Sequence, residues 1–141
     1  MKKIVIISGA TASGKTKTAV QFCKENNGEI ISCDSRQVYK YLDIGTNKEG
    51  ILNADNSYRT INGIPQYLTD IINPDQKYSA ADFVHDANIK IDEIINKGKL
   101  PVIVGGTGLY IKSLLYGLDE MPPADENLRK KLSQKTKQEL Y

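Results

Sequence analysis

Gly9-Ala10-Thr11-Ala12-Ser13-Gly14-Lys15-Thr16 has the spacing G-x-x-x-x-G-K-[ST] and follows directly on the apolar run Ile4-Val5-Ile6-Ile7. Glycines at this spacing let backbone N–H groups close round phosphate oxygens, while Lys15 adds positive charge and Thr16 a hydroxyl suited to a metal ion. Residues Lys17 to Asn26 read as a helix, so the loop also sits on a helix N-terminus, where orphan N–H groups and the dipole favour anions. The plain alternative, a Gly-rich turn without a ligand, lacks this strand-loop-helix context. The pattern identifies a phosphate grip without saying which phosphate compound is held or whether phosphate itself moves.

Asp34 and Thr107 are the other residues with chemical potential near such a grip. Asp34 follows the apolar stretch Glu29-Ile30-Ile31-Ser32, and a carboxylate at a strand end can take a proton from an attacking nucleophile within hydrogen-bond reach. Capping the following turn is the bland role for the same residue. Thr107 lies in Gly105-Gly106-Thr107-Gly108, where glycines permit close backbone approach or simply a tight turn. Val102-Ile103-Val104 ends in Gly105, not in the magnesium-binding Asp of a nucleotide hydrolase. That departure weakens an ATPase reading and suits a ligand whose pyrophosphate merely leaves.

The elements that must position these groups alternate between strand and helix. The pattern predicts a strand over 3–8, a helix over 15–26 closed by Asn27-Gly28, and a short buried strand at 29–32. A helical turn is expected through Tyr39 to Leu42, and loop from Gly45 to Asn62 with weak structure around 58–61. Residues 64–70 read as an edge strand, because Pro65 cannot donate to a central ladder. Ser79 and Asp82 read as the cap of a long helix whose apolar positions, Phe83, Val84, Ala87, Ile91, Ile94 and Ile95, recur at helical spacing until Gly98. A buried strand at 102–104, a helix over about 109–116, a break at Pro122-Pro123 and a polar helix capped by Asp125 complete the chain. This alternation implies an α/β fold, a doubly wound parallel sheet of the P-loop NTPase type with flanking helices. Ligands in such sheets bind outside the carboxyl ends of the strands, where the phosphate loop, Asp34 and Gly105 to Gly108 would share one crevice.

The 141 residues suffice for one core, and 40% hydrophobic with 26% charged residues is ordinary for a globular chain. A net charge of +2 neither demands nor excludes nucleic acid. Arg129, Lys130, Lys131, Lys135 and Lys137 crowd the last stretch, as a solvated helix face or an RNA-contacting surface. Cys23 and Cys33 lack metal-ligand spacing and read as buried free thiols. No apolar run reaches membrane-span length, and the stretch after Met1-Lys2-Lys3 is short for a signal peptide, so a cytoplasmic protein without membrane association is expected.

Five ordered blocks resemble the tRNA dimethylallyltransferases: GATASGKT at 9–16, ISCDSRQVYKYLDIGTNK at 31–48, YSAADF at 78–83, LPVIVGGTGLYIKSLLYGL at 100–118 and MPPADENLR at 121–129. The resemblance implies that dimethylallyl diphosphate places its pyrophosphate in Gly9 to Thr16, with Mg²⁺ at Thr16, and that N6 of adenine 37 beside a tRNA anticodon attacks the prenyl C1. Asp34 matches the family's general base, and Thr107 a residue at the reacting centre in contact with tRNA. Ser35, Arg36 and Gln37 match the segment holding the tRNA anticodon loop, and Arg129 a further tRNA-contacting position. Residues 1–120 would form the catalytic core of a monomer, and 121–141 the start of a tRNA-binding or insert region. The family's enzymes run to roughly twice this length, so the chain reads as a truncated form, weak or inactive alone.

Ala10 stands where the family usually has proline, Cys33 where alanine is usual, and Gln66-Tyr67 where a His-His pair is frequent. His85 reads as a surface residue. Two rival enzymes share the phosphate loop: an adenylate isopentenyltransferase with a free nucleotide as acceptor, and a small nucleoside or metabolite kinase using ATP. A non-catalytic binding module is the third reading.

Overall fold

The computed structural model describes residues 1–119 and 124–140. Its strands are β1 (Val5–Ser8), β2 (Gly28–Ser32), β3 (Ile51–Leu52), β4 (Arg59–Ile61), β5 (Ile64–Tyr67) and β6 (Leu100–Gly105), and its helices α1 (Lys15–Asn26), α2 (Ala80–Asn96), α3 (Gly108–Tyr116), α4 (Glu126–Ser133) and α5 (Lys137–Leu140). The six strands form one sheet in the order β1-β6-β2-β5-β4-β3. β1, β6, β2 and β5 run parallel, whereas β4 pairs antiparallel with β5 and β3 with β4. The sheet is therefore mixed, with an antiparallel extension added to the expected parallel core.

Helices cover both faces, as winding in two directions requires. On one face Ala19, Val20 and Cys23 of α1 pack against Ile30, Val102 and Val104. On the other, Phe83, Ala87, Ile91 and Ile94 of α2 pack against Ile31, Tyr67 and Ile103, with Tyr110 of α3 joining them. Ile30 and Ile31 face opposite clusters because successive strand side chains alternate. Tyr110 stacks on Phe83 with centroids 4.6 Å apart, which fixes α3 against α2.

Local chemistry sets the helix ends. The Ser79 hydroxyl accepts from Asp82 N while the Asp82 carboxylate accepts from Ser79 N, a complete capping box at α2. Asp125 caps α4 by accepting from the N–H groups of Asn127 and Leu128. α4 and α5 bury no residue. The expected break at Pro122-Pro123 lies outside the described residues. Among the described residues no helix is long and apolar enough to cross a membrane.

Two expectations need correction. Residues 64–67 are not an edge strand, since β5 lies between β2 and β4. Pro65 is tolerated there because the pairing with β2 begins only at Gln66, opposite Ile30, and Pro65 faces Thr60 on the β4 side. The stretch from 45 to 62, read as loop with weak structure around 58–61, contains β3 as well as β4, which falls at that weak structure, and Asn62-Gly63 turns β4 into β5. Both turn residues have positive φ, 49° and 84°, as a two-residue type I′ hairpin requires.

Candidate active site

Four backbone segments meet at the carboxyl ends of the parallel strands. β1 delivers the phosphate loop, β2 the turn beginning at Asp34, and β6 the strap Gly105-Gly106-Thr107, while residues 45–49 close the side. They enclose a cavity of about 750 Å³, whose lining includes all of Gly9 to Lys17, Asp34 to Gln37, Gln66 and Thr107. Of the residues assigned to phosphate, base or tRNA contact from sequence, only Arg129 lies elsewhere. It is on α4, 3.9 Å from Glu126 and away from the cavity lining.

The phosphate loop enters α1 through Gly14, which has φ 82° and supplies the left-handed N-cap. Ala12 is also left-handed, and Ser13 N donates to Ala10 O at 3.3 Å, so the loop is a tight curl. Lys15 Nζ donates to Ala10 O across the mouth of this curl. Thr16 lies in the first turn of α1, where the N–H groups have no intrahelical partner, and it lines the cavity.

Asp34 fills the capping role weighed from sequence and also lines the cavity. Its Oδ1 accepts from Arg36 N at 2.8 Å and Gln37 N at 3.2 Å, which caps the turn and fixes the carboxylate plane. Its Oδ2 has no partner among the described residues. Thr107 is tied to the same turn, because its Oγ1 accepts from Ser35 N at 3.1 Å.

Gly105 explains how the two strands come so close. A Cβ placed there would lie 2.0 Å from the Cys33 carbonyl oxygen, so only glycine fits where β6 crosses the end of β2. Cys33 is buried and free. Burial, reinforced by the Asp34 charge, pushes its thiol up to about 12, so it is no nucleophile despite its place beside Asp34. Cys23 is likewise buried and free, and burial together with Glu29 raises its thiol to about 11. His85 is exposed on α2.

The 45–49 wall was not read as part of the site, Gln66 was named only as a departure from a frequent His-His pair and Val104 only as part of a buried strand, yet all line the cavity. The segment Asp43-Ile44-Gly45-Thr46-Asn47-Lys48 carried a signal inside the 31–48 block, but its lack of periodicity hid its structural role. Lys48 is held beneath the wall, its Nζ donating to Asp70 Oδ1 at 2.6 Å, Asp43 Oδ1 at 3.0 Å and Tyr39 O at 2.6 Å. Arg59 Nε donates to Asp70 Oδ2 at 2.6 Å. Burial alone would raise the Asp70 carboxyl, but the hydrogen bonds and charges of Arg59 and Lys48 outweigh it and hold it below the usual carboxylate range. Tyr67, beside Gln66, points to the other face, where its hydroxyl donates to Glu29 at 2.9 Å.

A phosphate loop, an oriented carboxylate and a hydroxyl on a glycine strap, gathered at the ends of parallel strands, define a protein of the P-loop α/β class. The comparisons give the family. The model described as IPP transferase matches residues 37–141, and that described as isopentenyl transferase matches residues 2–62. The chain belongs to the IPP transferase family.

It is 70% identical over 138 residues to a tRNA dimethylallyltransferase of Endomicrobium trichonymphae, covering 98% of this chain and 46% of that protein. A tRNA dimethylallyltransferase of Acetivibrio thermocellus is 50% identical over 139 residues, covering 98% of this chain and 42% of its own length. Among solved structures, the full-length tRNA isopentenylpyrophosphate transferase from Bacillus halodurans superposes with a TM-score of 0.76 at 43% identity, covering 94% of this chain and 42% of that one. A eukaryotic dimethylallyltransferase acting on tRNA does so with 0.77 at 28% identity, covering 96% and 33%. The chain thus spans less than half the length of the curated relatives it matches.

Proposed function

We propose that the protein carries the catalytic core for transfer of a dimethylallyl group from dimethylallyl diphosphate to N6 of adenine 37 in the anticodon loop of a tRNA. The observation that carries this reading is the joining of Asp34 and Thr107 through Ser35 in the cavity that also holds the phosphate loop. N6 attacks the prenyl C1, the C1–O bond breaks, diphosphate leaves, and the N6 proton passes to Asp34 Oδ2. The bonds to Oδ1 hold that oxygen in place while it acts as the base. Negative charge builds on the leaving diphosphate, where the loop N–H groups and Lys15 stabilise it, Lys15 exchanging Ala10 O for a phosphate oxygen. The target adenine must leave its stack to reach the cavity.

Mg²⁺ arriving with the diphosphate would be held on the protein side by the Thr16 hydroxyl, which lines the cavity. The ion would supply charge neutralisation of the leaving group. The exposed α4 with Arg129, Lys130 and Lys131 lies outside the cavity, and a tRNA backbone contact there is the use its charge suits. A cytoplasmic monomer is the setting in which this chemistry is expected.

The test is mass spectrometry of adenine 37 in an anticodon stem-loop incubated with dimethylallyl diphosphate, Mg²⁺ and either the protein or its Asp34→Ala variant. Prenylated adenine from the parent and a loss of two or more orders of magnitude in the variant is the expected result. Equal product from both removes the base assignment. Prenylation of free AMP in place of the stem-loop, or phosphoryl transfer from ATP, moves the reading to one of the rival enzymes.

A further inference from the structure

The turn after β2 matches an acceptor-holding segment as a block, but the structure separates its members. Gln37 is half-buried and all its hydrogen-bonding groups are engaged within the protein. Its N–H donates to Asp34 Oδ1 at 3.2 Å, and its carbonyl accepts from Asp70 N at 2.9 Å. Its Oε1 accepts from Ser32 Oγ at 3.0 Å, while Nε2 donates to Thr46 O at 2.9 Å and Asn47 O at 3.2 Å. The two peptide carbonyls can only accept, so the amide cannot be turned round without losing both bonds. Arg36, next to it, is exposed, and its guanidinium has no partner among the described residues.

We infer that Gln37 is a positioning residue that holds Asp34 and the 45–49 wall in one frame, and that Arg36 is the member of the turn that meets the acceptor nucleic acid. The inference rests on the prenyl-transfer reading for the acceptor and stands on geometry for the frame. Gln37 reaches three separate segments. Through its N–H it stiffens the Asp34 turn, through its carbonyl it joins the segment that follows β5 at Asp70, and through Nε2 it carries the cavity wall. Asp70 in turn grips Lys48 beneath that wall at 2.6 Å. A carboxylate acting as a base must be placed to within a fraction of an ångström, so loosening this frame lowers the rate of the chemical step more than it weakens binding. Arg36 has nothing to hold inside the protein, and its free planar fork suits a phosphate or a base edge.

Gln37→Met keeps the length and bulk of the side chain and removes the amide. With stem-loop and dimethylallyl diphosphate both saturating, its single-turnover rate is expected to fall at least tenfold, while KM for the stem-loop stays within about twofold. Arg36→Met is expected to show the opposite split, with KM raised about tenfold and the saturated rate within about threefold. A tenfold rise in KM with an unchanged rate in Gln37→Met assigns that side chain to acceptor binding and overturns the inference. Ser32→Ala removes only the bond that orients the amide, and is expected to act in the same direction as Gln37→Met at smaller size. It decides the matter if Gln37→Met does not fold. Amide hydrogen exchange of residues 44–50 in the free protein tests the frame without any reaction. Faster exchange in Gln37→Met but not in Arg36→Met supports it, and unchanged exchange in Gln37→Met defeats it. Prenylation of free AMP but not of the stem-loop, or phosphoryl transfer from ATP, sinks the tRNA prenyl-transfer reading, and the exchange result still decides the placement of Gln37.

Discussion

β1, β6 and β2 run parallel and end in the phosphate loop, the Gly105–Thr107 strap and the Asp34 turn, whereas β3, β4 and β5 form an antiparallel meander that follows the 45–49 wall and lends Gln66 to the cavity. At the cavity end, the first region is assembled by backbone. Cys33 N donates to Val104 O at 2.7 Å, a glycine admits the crossing, and Ser35 N reaches Thr107 Oγ1. The second is assembled by charge, with Asp43, Lys48, Arg59 and Asp70 drawn together from four places along the chain. Backbone assembly leaves side chains such as Asp34 Oδ2 free for chemistry, while the charge network engages its side chains wholly in holding shape. Damage to the first region should therefore appear in rate and damage to the second in stability.

The sharpest form of this contrast is Asp34→Asn. Asparagine keeps an oxygen for the N–H groups of Arg36 and Gln37 and so preserves the turn, while removing the proposed base. The saturated prenylation rate should fall by about 10²–10⁴ in a single-turnover assay. The urea midpoint should hardly move, and dimethylallyl diphosphate should bind as before. A rate loss matched by an equal loss of stability would erase the distinction between the regions.

Asp70→Asn attacks the other region. Lys48 has a side chain 1% exposed and Arg59 13%, so both lose their buried countercharge, and the cost should be about 3–5 kcal/mol in denaturant unfolding. The pH dependence has a definite sign. The folded-state carboxyl is held below its ordinary value, so its contribution is fully present above about pH 4, the unfolded value, and is lost as pH falls through the lower folded value. The stability gap between parent and Asp70→Asn should thus be constant near neutrality and close only on strong acidification. A gap that narrows above pH 5 would remove Asp70 as its source.

Gly105→Ala lies between the two in kind. The added carbon meets backbone 2.0 Å away, where no side chain can swing aside, so β6 must move from β2 at a cost of about 1–3 kcal/mol. The same displacement carries Thr107 away from Ser35, so the prenylation rate should drop as well. Gly108→Ala is the control in the same strap: nothing lies within 4 Å of its Cβ, and alanine at a helix start should cost nothing measurable.

The parallel region was legible in the sequence because each of its parts is a local pattern: a loop motif after an apolar run, an Asp after a buried strand, a capping box at Ser79 and Asp82, a helical period from Phe83 to Ile95. Gly105 was marked too, with close backbone approach and a tight turn both open, and it proves to be a close approach, to the Cys33 backbone. The meander was less legible because its determinants are distant. Ile51-Leu52 and Arg59-Thr60-Ile61 are too short to show a period, and nothing near Lys48 announces that its partner is Asp70. Pro65 misled for a physical reason: a missing N–H excludes a residue from a ladder only where that ladder requires the donor, and the β2 ladder begins one residue later. Asn62-Gly63 was the local signal available and unread.

That turn gives the smallest expected effect. Gly63 has φ 84°, and nothing lies within 4 Å of an added Cβ, so Gly63→Ala carries a backbone cost alone, on the order of 1 kcal/mol. The hairpin is held at its other end by Arg59, whose Nε stays on Asp70 Oδ2 at 2.6 Å, so register should survive and the urea m-value should not change. The prenylation rate should stay within about twofold, since neither the Asp34 turn nor Gln37 touches the hairpin tip. A stability loss of about 3 kcal/mol or more would mean that the turn, and not the Asp70 charge network, sets the register of β4 on β5. The wall would then be built by local chemistry after all, as the phosphate-loop side is.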